Sequence, residues 1–140
     1  MKMCFLLLVL FYALDLVSGT ALKDFSFEKE KEGQSFLLVT SHPDDEAMFF
    51  SSLLSKLQQL NLSVSILCLS TGNDNNRLDN STRVEELYSS LQGAFGISGH
   101  HVTVLNHDAL QDSLNSDWDP EVISPLIVSH VKVSLDLEEL

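Results

Sequence analysis

The residues best suited to chemistry in this chain are His42, Asp44 and Asp45, which lie in the stretch Ser41–Glu46. The stretch follows the apolar run 36–40, which is typical of a buried parallel strand, and precedes a helical pattern. In open α/β sheets, ligands bind at the carboxyl ends of the strands. Histidine and aspartate bind divalent metals such as zinc, and a neighbouring carboxylate can take a proton from metal-bound water. The stretch therefore indicates metal-assisted hydrolysis.

A simpler interpretation of the same acids is structural. Asp44 and Asp45 lie where a helix N-cap belongs, and their charge suits the positive end of the helix dipole. His42 would then be a polar turn residue. The residues alone leave both interpretations open, although the position after a buried strand favours a functional role.

Strands and helices alternate along the rest of the chain, which predicts an α/β domain built on a mainly parallel sheet. Apolar residues at three- and four-residue spacing predict the helices between the strands. Because the polar loop 70–80 follows the second strand, it should overhang the edge that carries His42. A second polar loop, 106–117, follows the third strand. The predicted order is strand 36–40, helix 47–60, strand 63–69, helix 81–95, strand 102–105 and helix 120–131, with 132–140 as the start of a fourth strand.

The composition describes a globular chain and excludes one class of partner. The 140 residues are 44% hydrophobic and suffice for one small domain. A net charge of -12 argues against a nucleic-acid partner, since phosphate binding needs a basic surface. The two cysteines, Cys4 and Cys68, do not form a disulfide framework, and Cys68 lies in a predicted buried strand.

The chain divides into a hydrophobic N-terminal segment, a polar linker and a domain, at residues 1–21, 22–34 and 35–140. The first segment has the length of a signal-peptide core and is short for a membrane span of about 20 apolar residues. The lysines that follow it favour instead an anchor with the body in the cytoplasm. Taken alone, the residues favour the signal peptide and a body in the secretory lumen, where the sequons at Asn61 and Asn80 could carry glycans.

Residues 37–50 closely resemble the signature of the LmbE-like zinc-dependent de-N-acetylases. They resemble in particular the branch that acts on N-acetylglucosaminyl-phosphatidylinositol early in GPI-anchor synthesis. The His-Pro-Asp-Asp-Glu signature with its flanking hydrophobic residues is specific, and supporting matches follow at 67–73, 83–87, 110–112 and Trp118. The resemblance implies a Rossmann-like three-layer α/β sandwich that is incomplete at its C-terminal side.

By motif position, the resemblance implies that His42 and Asp45 bind a divalent metal, Zn²⁺ in this family, and that Asp44 is the general base. Arg83 resembles a residue on the substrate side of the pocket. The implied reaction is hydrolysis of the N-acetyl amide of a membrane glycolipid, with release of acetate. The same resemblance reverses the preference for a signal peptide, because it implies an anchor in the endoplasmic-reticulum membrane and a body facing the cytoplasm.

The family's later histidine motif, which supplies a third metal ligand and a histidine that stabilises the oxyanion, has no counterpart up to Leu140. Of the other histidines, His107 follows a predicted strand, and an ordinary loop histidine is the favoured interpretation there. We therefore expect a C-terminally shortened relative of the deacetylase. The alternatives are a non-catalytic truncated form of that enzyme and a secreted small metal-binding domain.

Overall fold

A computed structural model of the chain describes residues 6–8, 35–72, 80–112 and 117–138. These residues form a parallel four-stranded sheet in the order β1-β2-β3-β4, with helices on both faces. The strands are β1 Leu6–Leu8, β2 Ser35–Thr40, β3 Ser63–Cys68 and β4 Val102–Val104. The helices are α1 Asp45–Met48, α2 Ser51–Gln59, α3 Asn80–Phe95 and α4 Pro120–Glu138, with 3₁₀ turns at Gly99–His101 and Asp108–Leu110.

The central strands β2 and β3 are apolar runs because the helices cover both of their faces. They pair over their full lengths, from Ser35 opposite Ser63 to Thr40 opposite Cys68. Since successive side chains of a strand point to opposite faces, each strand contributes to two hydrophobic clusters. One cluster joins Leu38, Ile66 and Cys68 to buried leucines of α2 and α3, and the other joins Leu37, Val39 and Leu67 to Ile123 and Ile127 of α4.

The three layers confirm the prediction of a Rossmann-like α/β domain with a parallel sheet. The single helix predicted from Ala47 to Leu60 is wrong in one respect, because α1 ends at Met48 and α2 begins at Ser51. The break turns Phe50 against the core, whereas Phe49 stays 50% exposed.

The prediction of a fourth strand over 132–140 is also wrong, since α4 continues to Glu138. Ile123, Ile127 and Val131 recur every fourth residue and pack against the same cluster. This helical spacing keeps one face of α4 on the sheet as far as Val131.

Part of the hydrophobic N-terminal segment lies at the edge of the sheet. Leu6–Leu8 pair in parallel with Phe36–Leu38 of β2. The rest of the predicted anchor or signal segment, and the predicted linker 22–34, lie outside the described residues. Within the part of the chain that the structure describes, no helix has both the length and the apolar character needed to cross a bilayer.

Candidate functional site

The candidate residues lie on the turn that joins β2 to α1, at the carboxyl edge of the sheet. The ladder continues beyond the strands, because the Leu69 N–H donates to Thr40 O (2.9 Å) and the Leu105 N–H donates to Cys68 O (2.8 Å). The ends of β2, β3 and β4 are therefore level, and the segments that leave them share one edge. This is the position predicted from the order of strands and helices.

Asp45 stabilises the turn through its carboxylate. Its Oδ2 atom accepts hydrogen bonds from the backbone N–H groups of Ser41 (2.9 Å) and His42 (3.0 Å). Asp45 is the first residue of α1, so its side chain reaches back to the residues before the helix. Both bonds are accepted by the same carboxylate oxygen.

The imidazole of His42 lies under residues that are distant in sequence. Its Nε2 atom is buried without a hydrogen bond, and Asp112 Oδ1 lies 3.4 Å from it. The ring of Trp118 packs against His42 with 5.5 Å between ring centroids and a tilt of 56°. The Trp118 indole in turn donates to Gln111 O (3.0 Å), which ties the segment bearing Asp112 to the same place.

Asp44 occupies the N-cap position of α1, but its side chain makes no capping hydrogen bond. The structural interpretation of this residue as a side-chain cap is therefore wrong. Its backbone has φ 126° and ψ -21°, a conformation that L-residues rarely adopt. The carboxylate is 53% exposed and pairs with the guanidinium of Arg83, at 2.9 Å between Asp44 Oδ2 and Arg83 Nη2.

Arg83, from the first part of α3, joins two of the segments at this edge. Its Nη2 atom also donates to Pro43 O (3.0 Å), and its Nη1 atom donates to Gly72 O. Gly72 has φ +70°, and an added Cβ would lie 2.6 Å from Arg83 Cζ. Glycine is therefore favoured at position 72 both by the backbone conformation and by the close approach of the guanidinium.

A serine joins the same segments from the β3 side. The Ser70 hydroxyl donates to Ser41 O (2.9 Å) and accepts from the Gly72 N–H (3.1 Å). Because Ser70 is 2% exposed, these bonds are formed away from water. They hold the segment after β3 against the turn that carries the acids.

Glu46 is the residue of the signature that reasoning from the sequence left without a role. It is 1% exposed, and its Oε2 atom accepts a hydrogen bond from the Asp44 N–H (3.0 Å). Burial raises the pKa of the Glu46 carboxyl above its usual range, while hydrogen bonds from the Glu46 and Asp44 backbone and from the Ser90 side chain act to lower it. Its place directly after Asp45 was visible in the sequence, but its burial was not.

The donor set at the turn fits part of a zinc site. The His42 imidazole has a buried nitrogen that makes no hydrogen bond, and the Asp45 carboxylate lies on the same turn. Imidazole nitrogen and carboxylate oxygen are both ligands that Zn²⁺ takes in proteins. Among the described residues, no group of three His, Cys, Asp or Glu side chains could hold a metal ion. His107 does not supply a third ligand in this arrangement, because it is exposed and its Nδ1 atom accepts from the Ala109 N–H (3.2 Å).

Comparison with known proteins identifies the class to which this fold and this turn belong. The family model described as GlcNAc-PI de-N-acetylase, PIG-L, matches residues 37–134. The chain belongs to this family, which is metal-dependent in general. The match confirms the resemblance drawn from residues 37–50.

Individual relatives carry the corresponding name. The chain is 34% identical over 102 residues to N-acetylglucosaminyl-phosphatidylinositol de-N-acetylase of Bos taurus, covering 73% of this chain and 39% of the bovine protein. It is 35% identical over 105 residues to a probable enzyme of the same name from Schizosaccharomyces pombe, covering 74% of this chain and 41% of the relative. The Saccharomyces cerevisiae enzyme of the same name is 31% identical over 99 residues, covering 69% of this chain and 31% of the yeast protein. The chain thus spans about two fifths or less of these relatives.

Proposed function

We propose that this chain contributes the catalytic base and two metal ligands to hydrolysis of the N-acetyl amide of N-acetylglucosaminyl-phosphatidylinositol, a step of GPI-anchor biosynthesis. The observation that carries the proposal is the turn at the carboxyl end of β2, which places His42, Asp44 and Asp45 within the region matched by the family model. The names of the relatives supply the substrate class.

His42, Asp44 and Asp45 each have a separate role in the proposed reaction. His42 and Asp45 would hold the metal, proposed to be Zn²⁺, which when bound would supply a Lewis acid for the acetyl carbonyl and for bound water. Asp44 takes a proton from the attacking water and returns it to the amide nitrogen as the C–N bond breaks. Acetate and a free amine are the products. The exposure of the Asp44 carboxylate (53%) suits this task, since the carboxylate must reach both water and substrate.

Arg83 is the proposed residue on the substrate side of the pocket. Its guanidinium lies beside the Asp44 carboxylate, so a substrate that reaches the base also reaches the arginine. Its side chain is 19% exposed. Arginine suits a polar or anionic group because its donors are fixed in a planar fork.

The metal proposal is tested by calorimetric titration of the 140-residue chain with Zn²⁺. We expect one weak site, because two protein ligands are fewer than the three that a catalytic zinc usually has. A His42→Ala, Asp45→Ala double variant should lose this binding. His100→Ala with Asp108→Ala, an exposed histidine and aspartate outside the turn, is the matched control. Equal affinity in both double variants would remove the metal proposal.

The activity proposal is tested by acetate release from N-acetylglucosaminyl-phosphatidylinositol. We compare the 140-residue chain with a fusion in which the remaining carboxyl-terminal part of the bovine relative follows the aligned region. We expect slow release by the chain alone and rapid release by the fusion, because loss of one oxyanion donor alone lowers a rate by about 10²–10³-fold. Asp44→Asn should abolish most release by the fusion, whereas the exposed Asp117→Asn should not. Full activity of the short chain would refute the need for a further ligand.

The proposed location is the endoplasmic-reticulum membrane, with residues 1–21 as anchor and the body facing the cytoplasm. A glycolipid substrate in the same membrane gives the anchor its purpose. Pairing of Leu6–Leu8 with β2 would compete with such an anchor, because the same residues cannot lie in the bilayer and in the sheet. Expression with microsomes distinguishes an anchor in the bilayer from a segment that pairs with β2. Resistance to carbonate extraction without glycosylation at Asn61 supports the proposed location, and extraction or a glycosidase-sensitive mobility shift contradicts it.

A further inference from the structure

The backbone of Asp44 is the most unusual feature of the turn. A φ of 126° in a residue with a Cβ is strained, and such a conformation persists only where the surroundings enforce it. α1 begins at this residue, because the Ala47 and Met48 N–H groups both donate to Asp44 O (3.0 and 2.9 Å). The strained residue therefore sets both the direction of α1 and the position of the Asp44 carboxylate.

Glu46 holds this backbone from the protein interior. Its carboxylate is almost entirely buried, and it accepts the Asp44 N–H at 3.0 Å. The same carboxylate receives a hydrogen bond from the side chain of Ser90, which lies on α3. A buried carboxylate costs free energy unless its oxygens are bonded, so these partners fix its place as well as that of Asp44.

Arg83 holds the same turn from its outer side. It bonds Pro43 O and the Asp44 carboxylate, so it reaches both the residue before the strained backbone and the side chain that the backbone carries. Arg83 and Ser90 are seven residues apart on α3, which places them on one face of that helix. One helix face thus supports the turn at two points, of which the interior point acts through Glu46.

We propose that Glu46 is a positioning residue, which holds the strained Asp44 backbone and thereby keeps the Asp44 carboxylate at the carboxyl edge of the sheet, beside Arg83. The proposal rests on the proposed function for the role of Asp44, but the constraint itself is a property of the folded chain. Glu46 needs only to accept a hydrogen bond for this task. Glutamine, which keeps a carbonyl acceptor at the same length, should therefore replace it, and alanine should not.

The constraint is measured by amide hydrogen exchange of the 140-residue chain, resolved at the Asp44 N–H by NMR. Glu46→Ala should accelerate exchange at Asp44 by about tenfold or more, the equivalent of losing one charge-assisted hydrogen bond. Glu46→Gln should stay within a few-fold of the unsubstituted chain. Glu86→Ala is the control, since Glu86 is an exposed glutamate on α3. Ser90→Ala, which loses the helix contact alone, should give an intermediate rate and serves if Glu46→Ala fails to fold.

The catalytic consequence is measured separately in the fusion with the bovine carboxyl-terminal part. Glu46→Ala should lower kcat about tenfold or more with little change in KM, because the substrate still binds while the base is displaced. Glu46→Gln should restore most of the rate. Equal exchange at Asp44 in the alanine and glutamine variants, or a glutamine variant as inactive as alanine, would overturn the proposal. If no fusion releases acetate, the proposed function fails, while the exchange data still decide whether Glu46 holds Asp44.

Discussion

Replacing Gly72 by alanine tests how tightly the segment after β3 is bound to the turn Ser41–Glu46. The backbone at Gly72 has φ +70°, where a Cβ costs about 1–2 kcal/mol. The new Cβ would also overlap the guanidinium of Arg83, with Cζ 2.6 Å and Nη2 3.1 Å away. A flexible arginine can move aside, but it then gives up its bonds to Gly72 O, Pro43 O and Asp44.

The two effects together set the expected loss. Hydrogen bonds to a charged group contribute about 1.5–3 kcal/mol in proteins. We take the lower part of that range, because the Arg83 side chain is 19% exposed and water replaces part of what is lost. Gly72→Ala should therefore lower the free energy of unfolding by about 2–4 kcal/mol.

Urea unfolding followed by circular dichroism measures this loss. Gly93→Ala is the matched control, because Gly93 lies within α3 and an added Cβ meets nothing within 4 Å. We expect that control to gain up to about 1 kcal/mol, since alanine favours a helix interior over glycine. In an Arg83→Ala background the penalty of Gly72→Ala should shrink to the backbone part, about 1–2 kcal/mol. A penalty that is the same in both backgrounds would refute the reasoning.

Other outcomes concern the core. Cys68 is fully buried, and burial raises the pKa of its thiol to about 11. In a Cys4→Ser background, a thiol reagent should therefore label Cys68 only after unfolding. Labelling of the native chain would contradict the burial of Cys68. Because the unfolded thiol ionises near 9.0 and the folded one near 11, the free energy of unfolding should fall as pH rises across that interval, an effect that a Cys68→Ala variant should lack. Leu91→Ala, which empties a fully buried position between α3 and the sheet, should cost about 2–5 kcal/mol by urea unfolding, whereas Val128→Ala, at a position 51% exposed, should change stability by about 0.5 kcal/mol or less.

The amino-acid sequence determined the architecture of this domain because the relevant signals are local. Continuous apolar runs predicted β2 and β3, because a strand that is buried on both faces is apolar at successive positions. Apolar residues at three- and four-residue spacing predicted α3, because a helix that is buried on one face is apolar once per turn. The order of strand, turn and helix predicted that His42, Asp44 and Asp45 lie at the carboxyl edge of the sheet. The family signature added chemical roles to those positions, and these stay predictions until the variants are measured.

Local pattern was insufficient where several conformations suit the same residues. The helix predicted over 47–60 breaks at Phe49 and Phe50, where Phe50 packs against the core while Phe49 stays exposed. The segment predicted as a strand over 132–140 instead continues α4 to Glu138. Strand-like composition was therefore not sufficient to predict a strand there.

Only the tertiary structure decided how the turn is held. Arg83 meets Asp44 across 39 positions of sequence, and the pairing of His42 with Asp112 and Trp118 joins segments from opposite ends of the domain. The burial of Glu46 is likewise seen only in the folded chain. A pattern along the chain records which residues favour burial, whereas the partners of a buried charge or a strained backbone are set by which elements the fold brings into contact.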